Sequence, residues 1–405
     1  MRVAVTAAPR HISPEERRAR LGVRHLLAPG TAAADVPAVA DALVALHSSD
    51  PATVYLSAAA RLAEPSFGAV ATALYEDRSL VRHHAMRRTL WVLTPDDARI
   101  VHAACTAALA PVEWRRLERL VVESGVTDDG PAWVREARAE TMSALRRLGQ
   151  ATARQLGQEA PALRAKLYLA VGKPYAGTQG AHTRVLLNLG FEGEVVRGAP
   201  TGSWITSEYT WSPMDAWLPG GIGGLEPRAA AAALAARYLA RFGPATTADL
   251  RWWAGWTAGT TTRALADAGA VAVTLDAGAG WVLPGDEAPV AEPEPWVAFL
   301  PSLDPTPMGW KERTFALGEL GAFGGPLFDR NGNGGPTVWV DGRVVGGWAH
   351  RPDGAVAYRL LVDVPAARRR ELDRAARRLG ELFEGVRVRP RFPTALQKEL
   401  EAAVR

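Results

Sequence analysis

Cysteine and long apolar runs are nearly absent from this chain of 405 residues. Its one cysteine, Cys105, cannot form an internal disulfide or a thiolate-rich metal site. No run of about 18 apolar residues occurs, so we expect no membrane-spanning helix. The apolar stretch near the amino terminus is too short for a secretory signal. From these absences we expect a cytoplasmic protein.

Sequence signatures of metal and nucleotide sites are also missing. The histidines, including the adjacent pair His83 and His84, show no spacing to cysteines or carboxylates that is typical of a zinc site. No glycine-rich loop ahead of a helix carries the Lys-Ser or Lys-Thr of a phosphate-binding loop. We therefore expect no metal and no cofactor, nucleotide cofactors included.

What the chain does contain is an uneven distribution of positive charge. The formal net charge is only +4, yet the segment from 78 to 95 holds no acidic residue. Arg82, His83, Arg87 and Arg88 lie in that segment, between two β-favouring runs at 79–82 and 89–93. A basic hairpin of this kind suits a phosphate backbone, although a solvated charged surface is the alternative.

Two stretches of the chain repeat nearly the same sequence. RLGQAT at 147–152 matches RFGPAT at 241–246. Each is followed by a second helical pattern that closes on a glycine, at 183–190 and 262–269, and then by a β-favouring run at 191–196 or 271–275. Helix, turn, helix and strand in this order are typical of a winged helix, a module that most often binds nucleic acid.

The remaining segments predict an α+β fold of tandem winged-helix modules with a β-rich carboxy-terminal unit. Helices are expected at 13–27 and 35–46, and strands at 296–300, 337–340, 344–348 and 355–362, with a closing helix at 364–383. Asp341-Gly342 is a strong hairpin-turn signal. The predicted modules are 1–125, 130–225, 226–290 and 296–405.

One short polar turn is the main candidate for chemistry. The predicted helix 35–46 runs into His47-Ser48-Ser49-Asp50-Pro51, where the proline indicates that helical geometry has ended. Serine and aspartate are preferred N-caps and proline suits a first turn, so capping of the next helix explains the segment. A catalytic turn explains it as well, and residue types alone leave both interpretations open.

The order and spacing of several motifs resemble the family of winged-helix DNA glycosylases typified by AlkZ and YcaQ. The resemblance covers almost the full length and rests on LHSSDP at 46–51, YLS at 55–57, ARL at 60–62, MRRTLW at 86–91, PDD at 95–97, RYL at 237–239, FGPAT at 242–246, DL at 249–250, LPSLD at 300–304 and VDGRVVG at 340–346. It implies three tandem winged helices and a β-rich unit that form a concave basic surface around DNA. It also implies removal of bulky alkylated purines, interstrand crosslinks included.

The resemblance places the candidate turn at the family's active site. The family usually carries Gln-x-Gln or Gln-x-Asp where this chain has His47, Ser48 and Ser49, ahead of Asp50 and Pro51. An N7-alkylated purine is already a cationic leaving group, so the enzyme must mainly hold a water and stabilise an oxocarbenium-like sugar. Asp50 would polarise the water and balance the charge, His47 would accept a proton or hold the water, and Ser49 would orient it.

The sequence therefore predicts a monofunctional DNA glycosylase that acts on bulky N7-alkylated purines, in DNA repair or in self-resistance to a genotoxic natural product. We expect it to act as a monomer on double-stranded DNA. The residues expected to contact DNA are Arg82, His83, Arg87, Arg88 and Arg343. The alternative is a non-catalytic winged-helix protein, either a transcription regulator or a binder of adducts.

Overall fold

The computed structural model describes residues 8–174, 176–321, 325–391 and 393–403. The chain folds into two compact units. The discontinuous unit comprises Met1–Val70 and Ala231–Arg405, and the continuous unit comprises Ala71–Ala230. The boundary at Val70 falls within the first predicted module, 1–125, and the finer division into four modules remains a prediction. Among the described residues, no helix is both long enough and apolar enough to cross a bilayer.

The α-helices follow one another along the whole chain. In order they are α1 (Pro14–Arg24), α2 (Val36–Ala42), α3 (Pro51–Ala59), α4 (Phe67–Ala71), α5 (Pro95–Val101), α6 (Ala110–Glu123), α7 (Gly130–Leu148), α8 (Ala153–Glu159), α9 (Ala181–Glu192), α10 (Met214–Trp217), α11 (Pro227–Phe242), α12 (Thr247–Ala254), α13 (Ala258–Asp267), α14 (Thr314–Leu317), α15 (Ala366–Leu382) and α16 (Ala395–Ala402). Single turns of 3-10 or π-helix lie at Thr72–Glu76, Met86–Arg88, His102–Thr106, Ala107–Leu109, Pro161–Arg164, Gly318–Leu320 and Gly325–Leu327.

The strands are short and pair mainly in antiparallel ladders. They are β1 (Leu46–His47), β2 (Val81–His84), β3 (Leu90–Leu93), β4 (Ala151–Thr152), β5 (Lys166–Leu169), β6 (Gly177–Gly180), β7 (Val195–Pro200), β8 (Tyr209–Pro213), β9 (Val271–Leu275), β10 (Gly278–Val282), β11 (Val297–Leu300), β12 (Thr337–Val340), β13 (Arg343–His350) and β14 (Val356–Leu360). Helices and antiparallel strands alternate, which confirms the predicted α+β class.

The discontinuous unit opens with two helices whose ends differ from the sequence prediction. Ser13 caps α1, since its hydroxyl accepts from the Glu16 amide at 3.3 Å. The predicted helix 35–46 ends four residues early, because α2 stops at Ala42 and Val44 adopts a φ of +61°. A β-branched residue in the left-handed region cannot continue a helix. Leu46 and His47 are extended instead.

The carboxy-terminal part of the same unit follows the prediction closely. β11, β12, β13 and β14 form one antiparallel sheet in that order. Asp341 and Gly342 make the turn between β12 and β13 with φ values of +48° and +80°. Gly342 also permits close approach, since a Cβ there would lie 2.6 Å from Arg18 Cβ. Helix α15 then covers most of the predicted segment 364–383.

The continuous unit is built around helices α6, α7 and α9. Their apolar faces share a core that includes Trp114, Leu145 and Leu189. The glycine that ends α9 is Gly193, with a φ of +79°, and not Gly190 as predicted. Gly190 lies inside the helix, where a Cβ would come within 3.0 Å of His84 Nδ1. The predicted strand at 191–196 consequently begins only at Val195.

Candidate functional site

The polar turn at 47–51 lies in the discontinuous unit, between β1 and α3. Asp50 is the N-cap of α3, and its Oδ1 accepts from the Ala52 amide at 3.2 Å. Its second oxygen, Oδ2, accepts from the Arg391 amide at 2.8 Å. The side chain is only 5% exposed. The carboxylate therefore caps a helix and also ties the turn to a segment near the carboxy terminus.

The environment acts on the Asp50 carboxyl in two opposite ways. Burial raises its pKa above the ordinary value, and the amides of Arg391 and Ala52 offset part of that rise because they donate to the charged form. A carboxylate offers about four lone-pair positions, so two bonds to amides do not exhaust its capacity. This geometry accounts fully for the capping role and leaves room for one more donor on each oxygen.

His47 and the two serines complete the turn. His47 is 3% exposed, and its Nδ1 accepts from the Ser49 amide at 3.4 Å. When Nδ1 accepts, the neutral ring carries its proton on Nε2 and acts as a donor there. Ser48 is 2% exposed, and within the described residues its Oγ has no hydrogen-bond partner. Ser49 is half-buried. The turn thus holds one anion, one imidazole and one buried hydroxyl that still requires a partner.

Helix α3 is held in place by a buried ion pair. Arg61 Nη2 donates to Asp304 Oδ1 at 2.7 Å and Arg61 Nη1 to Oδ2 at 2.9 Å, and both side chains are fully buried. Ser57 Oγ donates to the same carboxylate at 2.6 Å, and Thr53 Oγ1 donates to the Ser302 carbonyl at 2.8 Å. Two motifs that are far apart in the sequence, ARL at 60–62 and LPSLD at 300–304, therefore meet and fix the helix that Asp50 caps.

Two of the residues expected to contact DNA are buried in the continuous unit. β2 and β3 form the predicted hairpin. Arg82 is 2% exposed and lies over the Tyr209 ring at 4.7 Å. His83 is 1% exposed, and its Nε2 lies 3.2 Å from His102 Nδ1. Burial, with smaller effects of His102 and His84, holds the pKa of His83 well below its ordinary value, so the ring is neutral. This placement does not favour direct phosphate contact by Arg82 or His83.

The turn of the same hairpin carries the other two basic residues. Arg87 and Arg88 both adopt positive φ, at +55° and +62°. Arg87 is half-buried, and burial lowers its pKa to about 10, so it stays charged at neutral pH. Arg88 is exposed and its Nη1 donates to Glu113 Oε1 at 2.7 Å, an oxygen that Arg116 also uses at 2.8 Å. Arg343 is exposed at the β12–β13 turn of the discontinuous unit.

Metal ligands do not cluster in the part of the chain that the structure describes. No three or more histidine, cysteine, aspartate or glutamate side chains there are arranged to hold an ion.

Sequence reasoning named His47, Ser49 and Asp50 but gave no role to Ser48 or to Arg391. A buried serine carries no signal in the sequence, and Arg391 lies 341 residues away from Asp50 along the chain.

Comparison with known proteins assigns the family. The family model for DNA glycosylase AlkZ-like proteins matches residues 40–382. This chain belongs to the AlkZ-like DNA glycosylase family. Streptomyces sahachiroi DNA glycosylase AlkZ has a similar structure, with a TM-score of 0.70 and 22% identity over 93% of this chain and 98% of that chain. At this identity the likeness establishes the fold. No curated protein sequence matches the chain significantly.

The AlkZ-like match includes most of the features described above. It contains the turn at 47–51, the β2–β3 hairpin, the Arg61–Asp304 pair and the four-stranded sheet. It begins after α1 (Pro14–Arg24) and ends before Arg391. The AlkZ-like family therefore assigns action on DNA as a glycosylase, whereas the adduct and the residue roles have to be argued from this chain.

Proposed function

We propose that this AlkZ-like protein is a monofunctional DNA glycosylase that hydrolyses the N-glycosidic bond of bulky N7-alkylated purines. The proposal includes interstrand crosslinks among the substrates and a role in DNA repair or in self-resistance to a genotoxic natural product. The observation that carries it is the buried polar turn within the family match. His47, Ser48 and Asp50 are 3%, 2% and 5% exposed, although none of them is apolar.

The proposed chemistry follows from what each group can still do. Asp50 provides a carboxylate that two backbone amides hold in a fixed position close to the sugar, where they offset part of the rise in pKa that burial causes. The Ser48 hydroxyl, which lacks a partner among the described residues, binds the attacking water together with Ser49. His47 orients that water as a donor from Nε2. Since the alkylated base leaves as a neutral purine, no strong general acid is required.

We further propose that the repeated helix pairs are winged-helix modules that hold the duplex. α8 and α9 with β7 and β8 form one such module, and α12 and α13 with β9 and β10 form the other. Arg87, Arg88 and Arg343 are the proposed phosphate contacts. Arg82 and His83, which sequence reasoning placed in the same role, are proposed instead to support the hairpin from within.

An excision assay tests the enzymatic proposal. A duplex with one guanine that carries a bulky N7-alkyl group is incubated with the protein and then treated with mild alkali, which breaks the strand wherever a base has been removed. Asp50→Asn and Ser48→Ala should each lower the excision rate by about tenfold or more, because each removes a group that binds the water or the developing cation. Ser48→Ala should leave the melting temperature unchanged, because the hydroxyl makes no hydrogen bond within the described residues.

The second candidate function is binding without chemistry, and a specific observation favours it. Both oxygens of Asp50 already accept backbone amides, as in a purely structural cap. A DNA-binding protein of this kind would retain the adduct duplex in an anisotropy assay and yield no alkali-sensitive sites. That result, or strand breaks that are undiminished in Asp50→Asn and Ser48→Ala together, would remove the proposed active site.

A further inference from the structure

A cavity lined in part by charged residues lies in the discontinuous unit, apart from the turn at 47–51. It has a volume of about 250 Å³ and lies between α1, the β9–β10 turn, α14 and the β12–β13 turn. Its polar lining consists of Arg17, Arg18, Arg343, Asp276 and Thr314. The two arginines of α1 precede the first residue of the family match, at 40. Of the residues that line this cavity, only Arg343 has a role in the function proposed above.

Arg17 is the residue that makes the cavity unusual. It is 6% exposed, and its Nη2 is buried without a hydrogen-bond partner among the described residues. The guanidinium carbon lies 3.8 Å from the centre of the Phe315 ring. A ring face attracts the positive charge but leaves the in-plane N–H groups without acceptors. A buried N–H of a charged group is costly when it is unbonded, so Arg17 requires an acceptor.

The carboxylates near Arg17 do not supply that acceptor. Asp249 and Asp276 stabilise the charge from a distance, but burial outweighs them and lowers the pKa of Arg17 to about 10. Asp249 accepts from the amides of Thr246, Lys311 and Glu312. Asp276 pairs with His11 at 3.2 Å and is largely exposed. Arg17 therefore remains charged at neutral pH while its Nη2 lacks an acceptor.

The other two arginines make the cavity net positive. Arg18 has its donors in use, since Nη1 bonds the Phe315 carbonyl at 2.8 Å and Nη2 bonds Glu15 at 2.6 Å. Arg343 is exposed at the rim, at the β12–β13 turn. Arg17, Arg18 and Arg343 thus line the cavity together with one carboxylate, Asp276, while the charge of Arg18 is paired with Glu15. The space is large enough for a tetrahedral oxyanion. Guanidinium groups bind phosphate strongly because their donors match its oxygens in pairs.

We propose that this cavity binds a phosphate group, with Arg17 as the buried donor and Arg343 as the donor at the rim. The group comes either from the backbone of DNA or from free phosphate and phosphomonoesters. The DNA source rests on the proposed function, because only a protein that acts on DNA presents that backbone to the cavity. The free source is independent of it.

Calorimetric titration of the full chain with inorganic phosphate, at constant ionic strength against chloride, tests the site. We expect saturable binding that Arg17→Met weakens by about tenfold or more, the size of effect typical for one charge-assisted bond. Arg251→Met removes an exposed arginine from α12 and should bind phosphate as the wild type does. Without phosphate, Arg17→Met should melt no lower than the wild type, since it removes a buried charged group whose Nη2 lacks an acceptor and keeps an apolar side chain against Phe315.

A second measurement separates the two sources. If the ligand is the DNA backbone, phosphate should compete with an unmodified duplex for the protein. Arg17→Met should then lower the affinity for the duplex by about tenfold. If the ligand is free phosphate, duplex affinity should stay unchanged in Arg17→Met. Absence of phosphate binding and of any change in duplex affinity would overturn the inference, as would a lower melting temperature of Arg17→Met with no response to phosphate. Base excision is scored separately, so either proposal can fail alone.

Discussion

Asp50 caps helix α3 and also remains a candidate catalytic residue. The amides of Ala52 and Arg391 hold its carboxylate in one position, and burial disfavours its charge. A group held in this way does not have to reorganise when a cation forms beside it, which is the basis of electrostatic catalysis. The same two bonds make Asp50 important for stability.

The first prediction concerns the pH dependence of that stability. The pKa of Asp50 is higher in the folded state, so the folded chain binds this proton more tightly than the unfolded chain does. The contribution of Asp50 to the free energy of unfolding should therefore be greatest below the ordinary value of 3.8 and should fall as the pH rises through the folded pKa. In Asp50→Asn this dependence should vanish. Urea denaturation of both proteins across that pH range measures the difference.

Asp35→Asn is the matched control for this experiment. Asp35 caps α2 in the same unit and accepts from the Ala38 amide at 2.8 Å, but it is exposed. Asparagine is an equally good cap, so Asp35→Asn should change stability by no more than about 0.5 kcal/mol. Asp50→Asn should instead remove the pH dependence of stability described above, because it replaces the buried carboxyl whose pKa the fold raises. Equal effects of Asp35→Asn and Asp50→Asn would show that the buried bond between the Arg391 amide and Asp50 gives this carboxyl no special role.

The two repeated elements form the same cap in different surroundings. Thr152 and Thr246 each cap a helix, with Gln155 and Asp249 as the reciprocal partners of two capping boxes. Gln155 is exposed, whereas Asp249 is fully buried and also accepts from the amides of Lys311 and Glu312. In the second copy of the repeat, Asp249 therefore also binds the segment at Lys311 and Glu312, whereas Gln155 in the first copy makes only the cap.

The second prediction compares these partners directly. Asp249→Ala should lower the free energy of unfolding by about 3 kcal/mol or more, because three amides, one of them buried and two partly buried, lose their acceptor. Gln155→Ala should cost about 1 kcal/mol or less, since water replaces the lost bond. Chemical denaturation of the two variants provides the comparison. Costs of similar size would show that the additional amides contribute nothing.

At the scale of the whole molecule, exposure separates the proposed phosphate contacts from the buried basic residues. Arg88 and Arg343 lie on the turns of two hairpins in different units, and both are exposed. Arg82 belongs to the same basic segment of the sequence as Arg88 but is buried against tyrosine rings. Charge in the sequence therefore does not by itself identify the surface that meets DNA.

The third prediction uses this contrast. Arg88→Ala and Arg343→Ala should each weaken duplex binding on all sequences and reduce the slope of log affinity against log salt by about 0.9, the value for one phosphate contact. Arg82→Met should leave that slope unchanged. Fluorescence anisotropy at several salt concentrations measures all three. An Arg82→Met slope that falls as far as that of Arg88→Ala would show that the buried arginine reaches a phosphate.

The sequence by itself determined the elements whose signals are local. The start of the first helix near residue 13, the turn at Asp341-Gly342 and the four carboxy-terminal strands depend on residues a few positions apart, and the structure confirms them. The family resemblance, which rests on the order of motifs, is likewise confirmed.

Tertiary structure alone decided which polar groups share an environment. The glycine inside α9 and the burial of Arg82 and His83 depend on packing against distant segments. The bond from Arg391 to Asp50 and the unsatisfied Nη2 of Arg17 have the same origin. Burial and hydrogen bonding depend on which atoms meet in space, and those atoms lie far apart along the chain.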